Sequence, residues 1–492
     1  MALYALAALS GLLQVLVFPS FSFGLLAPLA VTPLLVAVAR AETWKRRFLL
    51  GWLSGSIFWG GACYWIFFVM RDYAYLPTPA AAAIYLAFLA AKGLHLAVFS
   101  VAAAPLLRRA YALPAVAALW VAVEGTHQYL GFTWLHLGNA AASMSLLAPL
   151  APVAGVYGPS FVLAALNAAF ALTLLKQPRS RLFWLAALPL LLLLPALPED
   201  ETGDRTVRLL QPNLHPDDVI DGWGRQESEA HMRRMFDLSA APADPEFDLL
   251  VWPEYSAPLY YDDSPRDRQI VETLAQTVET PFVFNTITFT EVDGVRRPMN
   301  SAVVLDSQGR QVSKYSKRFL VPFGEFVPWP FSLIIAKITL AAGDFHPGDA
   351  ATVAEVQGRR LGVYICYENV FARGVREFVA NGAEVLVNVS NDAWYGDTSA
   401  RYQHLLIARM RAIENQRYIL RSTADGVTTV INRAGQIQTP PPSFEQAVVD
   451  ASFAYHDDLT LFTRWGQWFW VLCSLTAFAA LGHAAWTPTR RD

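Results

Sequence analysis

A cysteine, a glutamate and a lysine each close a run of strand character in this chain. Cys366 ends Leu361-Gly362-Val363-Tyr364-Ile365 and is followed by Tyr367 and Glu368. Glu254 follows Leu249-Leu250-Val251-Trp252-Pro253, where proline stops a ladder, and Lys317 follows a polar stretch that also holds Lys314. The thiolate is the reactive form of a cysteine, so a carboxylate to accept its proton and an ammonium to supply a positive field are what such a nucleophile needs. Glu254, Lys317 and Cys366 lie 63 and 49 residues apart, so only a folded domain can assemble them. Taken singly, each has a plainer reading: a buried small cysteine, a solvated glutamate, a surface lysine.

The residues after Lys317 turn apolar, Arg318-Phe319-Leu320-Val321-Pro322-Phe323-Gly324-Glu325-Phe326-Val327-Pro328. A packed, irregular loop of this kind holds Glu325 near the interior, where a buried charge requires a cationic or hydrogen-bonding partner. Lys314 competes with Lys317, and the two face opposite sides if both lie on one strand. His404 is the most metal-like residue by type, but no second His or Cys stands at ligand spacing, so neither a metal nor another cofactor is expected.

The elements that must position these residues fall into two kinds. The chain of 492 residues is 54% hydrophobic and only 16% charged, too apolar for an ordinary soluble protein. Seven candidate spans precede residue 199, at about 2–18, 22–39, 47–70, 79–106, 111–129, 153–175 and 182–198, and an eighth lies at 467–486. The first lacks a basic leader region and is expected to be retained rather than cleaved. Between spans lie Arg40, Lys45, Arg46 and Arg47, then Arg108 and Arg109, then Lys176, Arg179 and Arg181. The positive-inside rule puts those loops in the cytoplasm, so after seven crossings the soluble part emerges on the outer face. The expected organisation is a membrane domain at 1–198, a periplasmic domain at 199–463, and a last transmembrane helix with a short tail at 464–492.

The soluble part alternates strands and helices, an α/β pattern, with candidate strands at 207–211, 249–252, 282–285, 302–305, 363–366, 385–388 and 427–431. Candidate helices lie near 225–239, 266–278, 370–380 and 401–416, the last with a polar face of Arg401, Arg409, Arg411 and Glu414. Cys63 and Cys473 fall inside spans, leaving Cys366 without a disulfide partner in an oxidising compartment, which marks it as reactive. Lys92 and Glu124 also fall within spans, where ionisable groups are costly. Trp59, Tyr64, Trp65, Trp120 and Trp134 suit interface belts or an opening for lipid chains. A net charge of −3 and the lack of a basic stripe give no case for nucleic acid.

Trp252-Pro253-Glu254, Lys317 ahead of Leu320-Val321-Pro322-Phe323-Gly324-Glu325, and Cys366-Tyr367-Glu368 resemble the nitrilase superfamily, in the order Glu, Lys, Cys. The wording of the Glu325 loop, with Ser390-Asn391-Asp392-Ala393-Trp394-Tyr395-Gly396 and Gln403-His404-Leu405, is similar to its apolipoprotein N-acyltransferase branch. Gly51 to Gly60, Leu119 to Glu124 and Gly155 to Phe161 resemble that branch's membrane helices. The resemblance implies an αββα sandwich on a multi-pass helical domain of about eight spans, in the inner membrane of a bacterium. It implies a phospholipid acyl donor, a thioester on Cys366, and the amine of a diacylated apolipoprotein as acceptor. In that scheme Glu254 is the base, Lys317 stabilises the oxyanion, Glu325 supports Lys317, and Tyr367 and Glu368 flank the nucleophile. Trp223 either stands where the family carries a tryptophan tied to lipid access or is an ordinary loop aromatic, and Trp394 and Tyr395 either line the acyl pocket or pack beside the preceding strand. A monomer is expected. Two other readings remain: a membrane-tethered amidase or hydrolase, with water resolving the thioester, and a non-catalytic lipid-binding protein of the same fold.

Overall fold

Between residues 205 and 453 the apolar runs become eleven strands among the described residues, arranged in two sheets. The chain is described by a computed structural model over residues 1–129, 132–198, 203–214, 225–255, 259–327, 329, 345–438 and 444–487. It divides into a helical unit, Met1–Leu197 with Asp397–Met410 and Trp465–Asp492, and an α/β unit, Pro198–Gly396 with Arg411–Arg464.

The strands of the α/β unit are β1 (Arg205–Gln211), β2 (Leu249–Val251), β3 (Phe282–Val292), β4 (Val295–Leu305), β5 (Gln311–Ser316), β6 (Val353–Val356), β7 (Arg359–Ile365), β8 (Val385–Ser390), β9 (Ile419–Thr423), β10 (Thr429–Ile431) and β11 (Ala447–Phe453). One sheet runs β11-β1-β2-β3-β4-β5 and the other β10-β9-β8-β7-β6. Each has a parallel centre, β1-β2-β3 and β7-β8-β9, with antiparallel strands at the edges. Strands β2, β8 and β9 are buried along their whole length, which is why they read as unbroken apolar runs rather than alternating ones. The sheets face each other, and Ser422 of β9 donates to the Leu210 carbonyl of β1 at 2.7 Å.

Helices close both outer faces. Met235 from Arg225–Ala240, and Val271 and Leu274 from Pro265–Val278, pack in one core with Leu250, Trp252, Phe282 and Val303. Helix Ala372–Ala380 lies on β7 and β8, and its apolar stripe of Val375, Phe378 and Val379 is buried at the 3–4 spacing of one helix face. The layers therefore run helix, sheet, sheet, helix. Helix Ala400–Asn415 carries the polar face expected of it inward, with Arg401, Arg411 and Glu414 wholly buried. Arg411 and Glu414 neutralise each other at 2.9 Å, one helical turn apart, so charge spacing alone misstates exposure there.

In the helical unit, Thr78–Leu106, Tyr157–Leu174 and Trp468–Trp486 are long and apolar enough to cross a membrane. Trp44–Ala62 with Trp65–Tyr73, bent by 59°, and Leu137–Ser143 with Ala148–Ala154, bent by 120°, bring that number to five at most among the described residues, against the eight expected. The other candidates fall short by length. Residues 2–18 form the 16-residue helix Ala2–Val17, 22–39 splits into the turn Gly24–Leu26 and the helix Thr32–Arg40, and 111–129 yields the 14-residue helix Ala112–Gly125. The stretch expected at 182–198 is a 3-10 helix, Arg179–Leu193. At roughly 2 Å per residue its 15 residues advance about 30 Å, the thickness of a hydrocarbon core.

Small residues let these helices approach closely. A Cβ at Gly51 would stand 2.2 Å from the Leu96 carbonyl oxygen, and one at Gly55 would stand 3.0 Å from Gly93 Cα. Trp59, Trp65, Trp120 and Trp134 are buried in this unit rather than set in a belt. Trp65 packs on Trp134 at 5.1 Å, and Lys92 Nζ sits 4.4 Å from the Trp59 ring centre.

Candidate active site

Cys366 is the first residue beyond β7, and its φ of +50° lies in the left-handed region that side chains other than glycine rarely adopt. Strain of this kind persists only where the surroundings over-determine it, and it turns the thiol off the strand direction. Glu368 supplies the constraint. Its Oε2 accepts the Ile365 N–H at 2.8 Å, while Oε1 accepts Tyr315 Oη at 2.6 Å, the Arg318 N–H at 2.7 Å and the Phe319 N–H at 3.2 Å. One buried carboxylate thus fastens the turn carrying Cys366 to the segment that begins at Lys317.

Glu254, two residues past Trp252 of the β2 run, and Lys317, one residue past β5, are brought together with side-chain exposures of 2% and 1%. Lys317 Nζ donates to Glu254 Oε1 at 3.2 Å and to Glu325 Oε1 at 2.9 Å. Asn300 of β4 bridges the same oxygens, its Nδ2 donating to Glu254 at 2.8 Å and to Glu325 at 2.9 Å. Asn285 Nδ2 holds Asn300 Oδ1 at 2.7 Å and so fixes which end of that amide faces the carboxylates. Glu254 Oε2 accepts the Asn391 N–H at 3.0 Å, and the Cys366 thiol also engages this carboxylate. Glu325 Oε2 accepts the Val321 N–H at 2.8 Å, so its loop is closed by the residue it buries.

The electrostatics follow from two carboxylates around one ammonium. Burial pushes the Glu254 carboxyl above the usual glutamate range; Lys317 and Asn300 pull it down and Glu325 pushes it up. Burial opposes the charge on Lys317, yet Glu254 and Glu325 outweigh it and hold the ammonium well above the ordinary lysine range. Burial raises the Cys366 thiol, the Glu254 charge raises it further, and Lys317 acts against both. The resting arrangement is therefore a thiol beside the Glu254 carboxyl, with a cation in place for negative charge that develops on a substrate oxygen.

The structure separates the two lysines that sequence left in competition. Lys314 pairs with Asp262 at 2.9 Å on the surface, 38% exposed, whereas Lys317 is in the site. Tyr367 is buried and meets Phe371 edge-on at 5.3 Å, and Trp394 and Tyr395 are half-buried on the turn Asp392–Tyr395 after β8. Tyr395 lies close enough to Cys366 for the sulfur's charge to raise its hydroxyl, second to burial. Trp223 lies outside the described residues. His404 stacks on Trp134 at 5.6 Å within the helical unit. Sequence reasoning missed Asn300, Asn285 and the Asn391 amide. The one available signal was polar residues within β3 and β4, at positions flanked by apolar runs.

Two packed sheets with a Glu, a Lys and a Cys at their strand ends define the carbon–nitrogen hydrolase class, and residues 207–456 match that family. Residues 10–169 match the apolipoprotein N-acyltransferase N-terminal domain. The apolipoprotein N-acyltransferase of Geobacter metallireducens is 32% identical, over 96% of this chain and 93% of its own. That of Methylococcus capsulatus is 31% identical, over 94% and 92%. Among solved structures, an amidase from Nesterenkonia sp. aligns over 53% of this chain and 93% of its own, at 18% identity and a TM-score of 0.39; the sheet order, not this alignment, carries the fold. This chain belongs to the apolipoprotein N-acyltransferase family.

Proposed function

We propose that this enzyme is an N-acyltransferase that moves an acyl chain from a phospholipid, through a thioester on Cys366, to the N-terminal amine of a diacylglyceryl-cysteine on an apolipoprotein. The reading rests on one observation: a buried Glu254 carboxylate bonded to Lys317 at 3.2 Å and engaged by the Cys366 thiol. Glu254 takes the thiol proton as Sγ attacks the ester carbonyl, and the carbonyl oxygen gains the charge that Lys317 stabilises. Collapse breaks the ester C–O bond. The leaving lysophospholipid oxygen takes the proton from Glu254, leaving the thioester. In the second half, Glu254 takes a proton from the attacking amine, the C–N bond forms, the C–S bond breaks, and the sulfur recovers its proton.

Glu325 fixes Lys317, Glu368 fixes the turn of Cys366, Tyr367, Trp394 and Tyr395 shape the space beside the sulfur, and Trp223 acts in lipid access. Residues 1–198 are the membrane domain, 199–463 the catalytic domain, and 464–492 the last span and tail. The apolar helices before and after it hold the catalytic domain at the inner membrane, on its periplasmic face. The enzyme works as a monomer. A maleimide that does not cross membranes tests the orientation: with Asp293→Cys, at an exposed hairpin tip, it labels spheroplasts without permeabilisation if the topology is right.

The activity is tested with purified protein, phospholipid and a diacylated lipopeptide. Appearance of triacylated lipopeptide is expected. Release of free fatty acid without transfer would make the chain a hydrolase, with water in place of the amine.

A further inference from the structure

Beside Cys366 lies a second buried polar set that the chemistry above leaves unused. Parallel pairing of Ile365 with Val389 brings the ends of β7 and β8 level, so Cys366 and Ser390 are neighbours one residue further on. The Ser390 hydroxyl is a hydrogen-bond partner of the thiol. It also donates to Asp392 Oδ1 at 2.8 Å, and Asp392 Oδ2 accepts Arg421 Nη2 at 2.5 Å. Ser390, Asp392 and Arg421 are wholly buried. Arg421 reaches this point from β9, where it pairs with Asn388 of β8 and donates to its side chain. Backbone closes over the carboxylate: at Gly426, φ +153°, a Cβ would stand 2.7 Å from Asp392 Cβ.

Charge explains why this set is separate from the first. Arg421 and Asp392 cancel each other, so neither is needed to balance Glu254, Lys317 and Glu325. A serine hydroxyl carries a single hydrogen, which goes to the carboxylate or to the sulfur but not to both. Opposite a neutral thiol the carboxylate is the stronger acceptor. Opposite a thiolate, sulfur is charged as well, and the hydroxyl can turn to it.

We propose that Ser390 is a positioning residue for Cys366, its hydroxyl shared between the sulfur and the Asp392 carboxylate that Arg421 pairs with, so that this trio sets how readily the thiolate forms. The proposal rests on Cys366 being the nucleophile. The other titratable groups that act on the sulfur are Glu254 and Tyr255 from the turn after β2, Lys317 after β5, and Tyr395 after β8, with Tyr367 next to it in the chain. The substitutions below leave all of them in place.

The test is the rate of Cys366 alkylation by iodoacetamide against pH, in the full-length protein in detergent, read by peptide mass spectrometry so that Cys63 and Cys473 are scored apart. A donor to the charged form favours that form, so Ser390→Ala moves the midpoint up by about one pH unit, a roughly tenfold smaller thiolate fraction below it. Ser390→Thr keeps the hydroxyl and restores the parental midpoint. Asp392→Asn removes a negative charge and leaves the hydroxyl a weaker competing acceptor, so the midpoint moves down. A role confined to packing would not shift the two variants in opposite directions. An unchanged or lowered midpoint in Ser390→Ala, or no recovery in Ser390→Thr, overturns the proposal; those two variants decide it if Asp392→Asn does not accumulate. Acyl transfer that survives Cys366→Ala would instead remove the nucleophile assignment, a separate failure that leaves the alkylation profile readable.

Discussion

Two lysines are buried among the described residues, one in each unit, and their surroundings differ in kind. Lys317 in the α/β unit donates to two carboxylates, Glu254 and Glu325, at 3.2 and 2.9 Å. Lys92 in the helical unit makes no ion pair with a described residue. It meets His127 Nδ1 at 2.8 Å and the Phe132 carbonyl at 3.1 Å, and lies over the rings of Trp59 and Phe132 at 4.4 and 5.7 Å. Glu124 of the same unit accepts the Trp120 indole N–H at 3.2 Å and the Leu137 N–H at 2.6 Å through one oxygen and forms no ion pair with Lys92. A lysine held by two carboxylates is a fixed charge with a field to lend. One held by an imidazole, a carbonyl and aromatic faces is accommodated by dipoles and quadrupoles, a way to bury a polar end between helices. Buried position alone therefore does not mark a catalytic lysine; the charge balance around it does.

The largest test of this contrast is Lys317→Met. It removes the cation that faces the developing oxyanion and leaves Glu254 and Glu325 facing each other. We expect acyl transfer to fall at least about 10³-fold. Retained transfer in that variant would end the assignment of Lys317. Glu368→Gln tests whether carboxylates organise the same site through the backbone. An amide has one acceptor oxygen where the carboxylate has two that together take four donors, so chemical denaturation should show a loss of about 2–4 kcal/mol.

Asn300→Ala sharpens the comparison through pH. Glu254 must be ionised to act as base, and its carboxyl is raised by burial, so the acid limb of Cys366 acylation should lie above the ordinary glutamate value of about 4.3. Asn300 donates to the ionised form. Its removal should shift that limb to higher pH by up to about one unit, with no more than roughly tenfold loss on the plateau. A limb that moves down would contradict the geometry.

Lys92→Met should leave acylation per folded molecule within about threefold while lowering the thermal midpoint, because the change costs hydrogen bonds but strands no opposite charge. A folded Lys92→Met variant that cannot acylate Cys366 would erase the distinction between the two lysines. Smallest is Lys314→Met, which breaks an exposed pair with Asp262 and should change stability by no more than about 0.5 kcal/mol, with transfer unchanged.

Much of the site could be read from sequence because each of its main residues ends a recognisable run. Cys366 closes an apolar strand, Glu254 follows a proline that stops one, and Glu325 is an acid stranded in an apolar loop that needs a partner. Asn300 could not be read this way. Its importance comes from register, with β4 between β3 and β5, so that one amide reaches carboxylates 46 and 25 residues away. The β3–β4 hairpin was cut short for a similar reason. Beyond Asn285 and before Ala302 its strands turn polar, and only the Asp293-Gly294 turn, with both φ angles positive, shows that pairing continues to the tip. In the helical unit, hydropathy located apolar segments but not their geometry. Bends after Ala62 and Ser143 and a long 3-10 stretch are geometry that a hydropathy window does not register. Trp59, Trp65, Trp120 and Trp134 are buried, and amphipathic rings that suit an interface or a lipid opening serve equally inside the unit, where Trp59 lies under a buried ammonium.

The most direct measurement is intact-protein and peptide mass spectrometry after incubation with a phospholipid of defined acyl chains and no acceptor. One acyl mass, located on the peptide containing Cys366, removed by neutral hydroxylamine and chased onto an added diacylated lipopeptide, is the predicted result. It should be missing in Cys366→Ala. An acyl group on any other residue, or transfer to the lipopeptide with Cys366 replaced, would contradict the account.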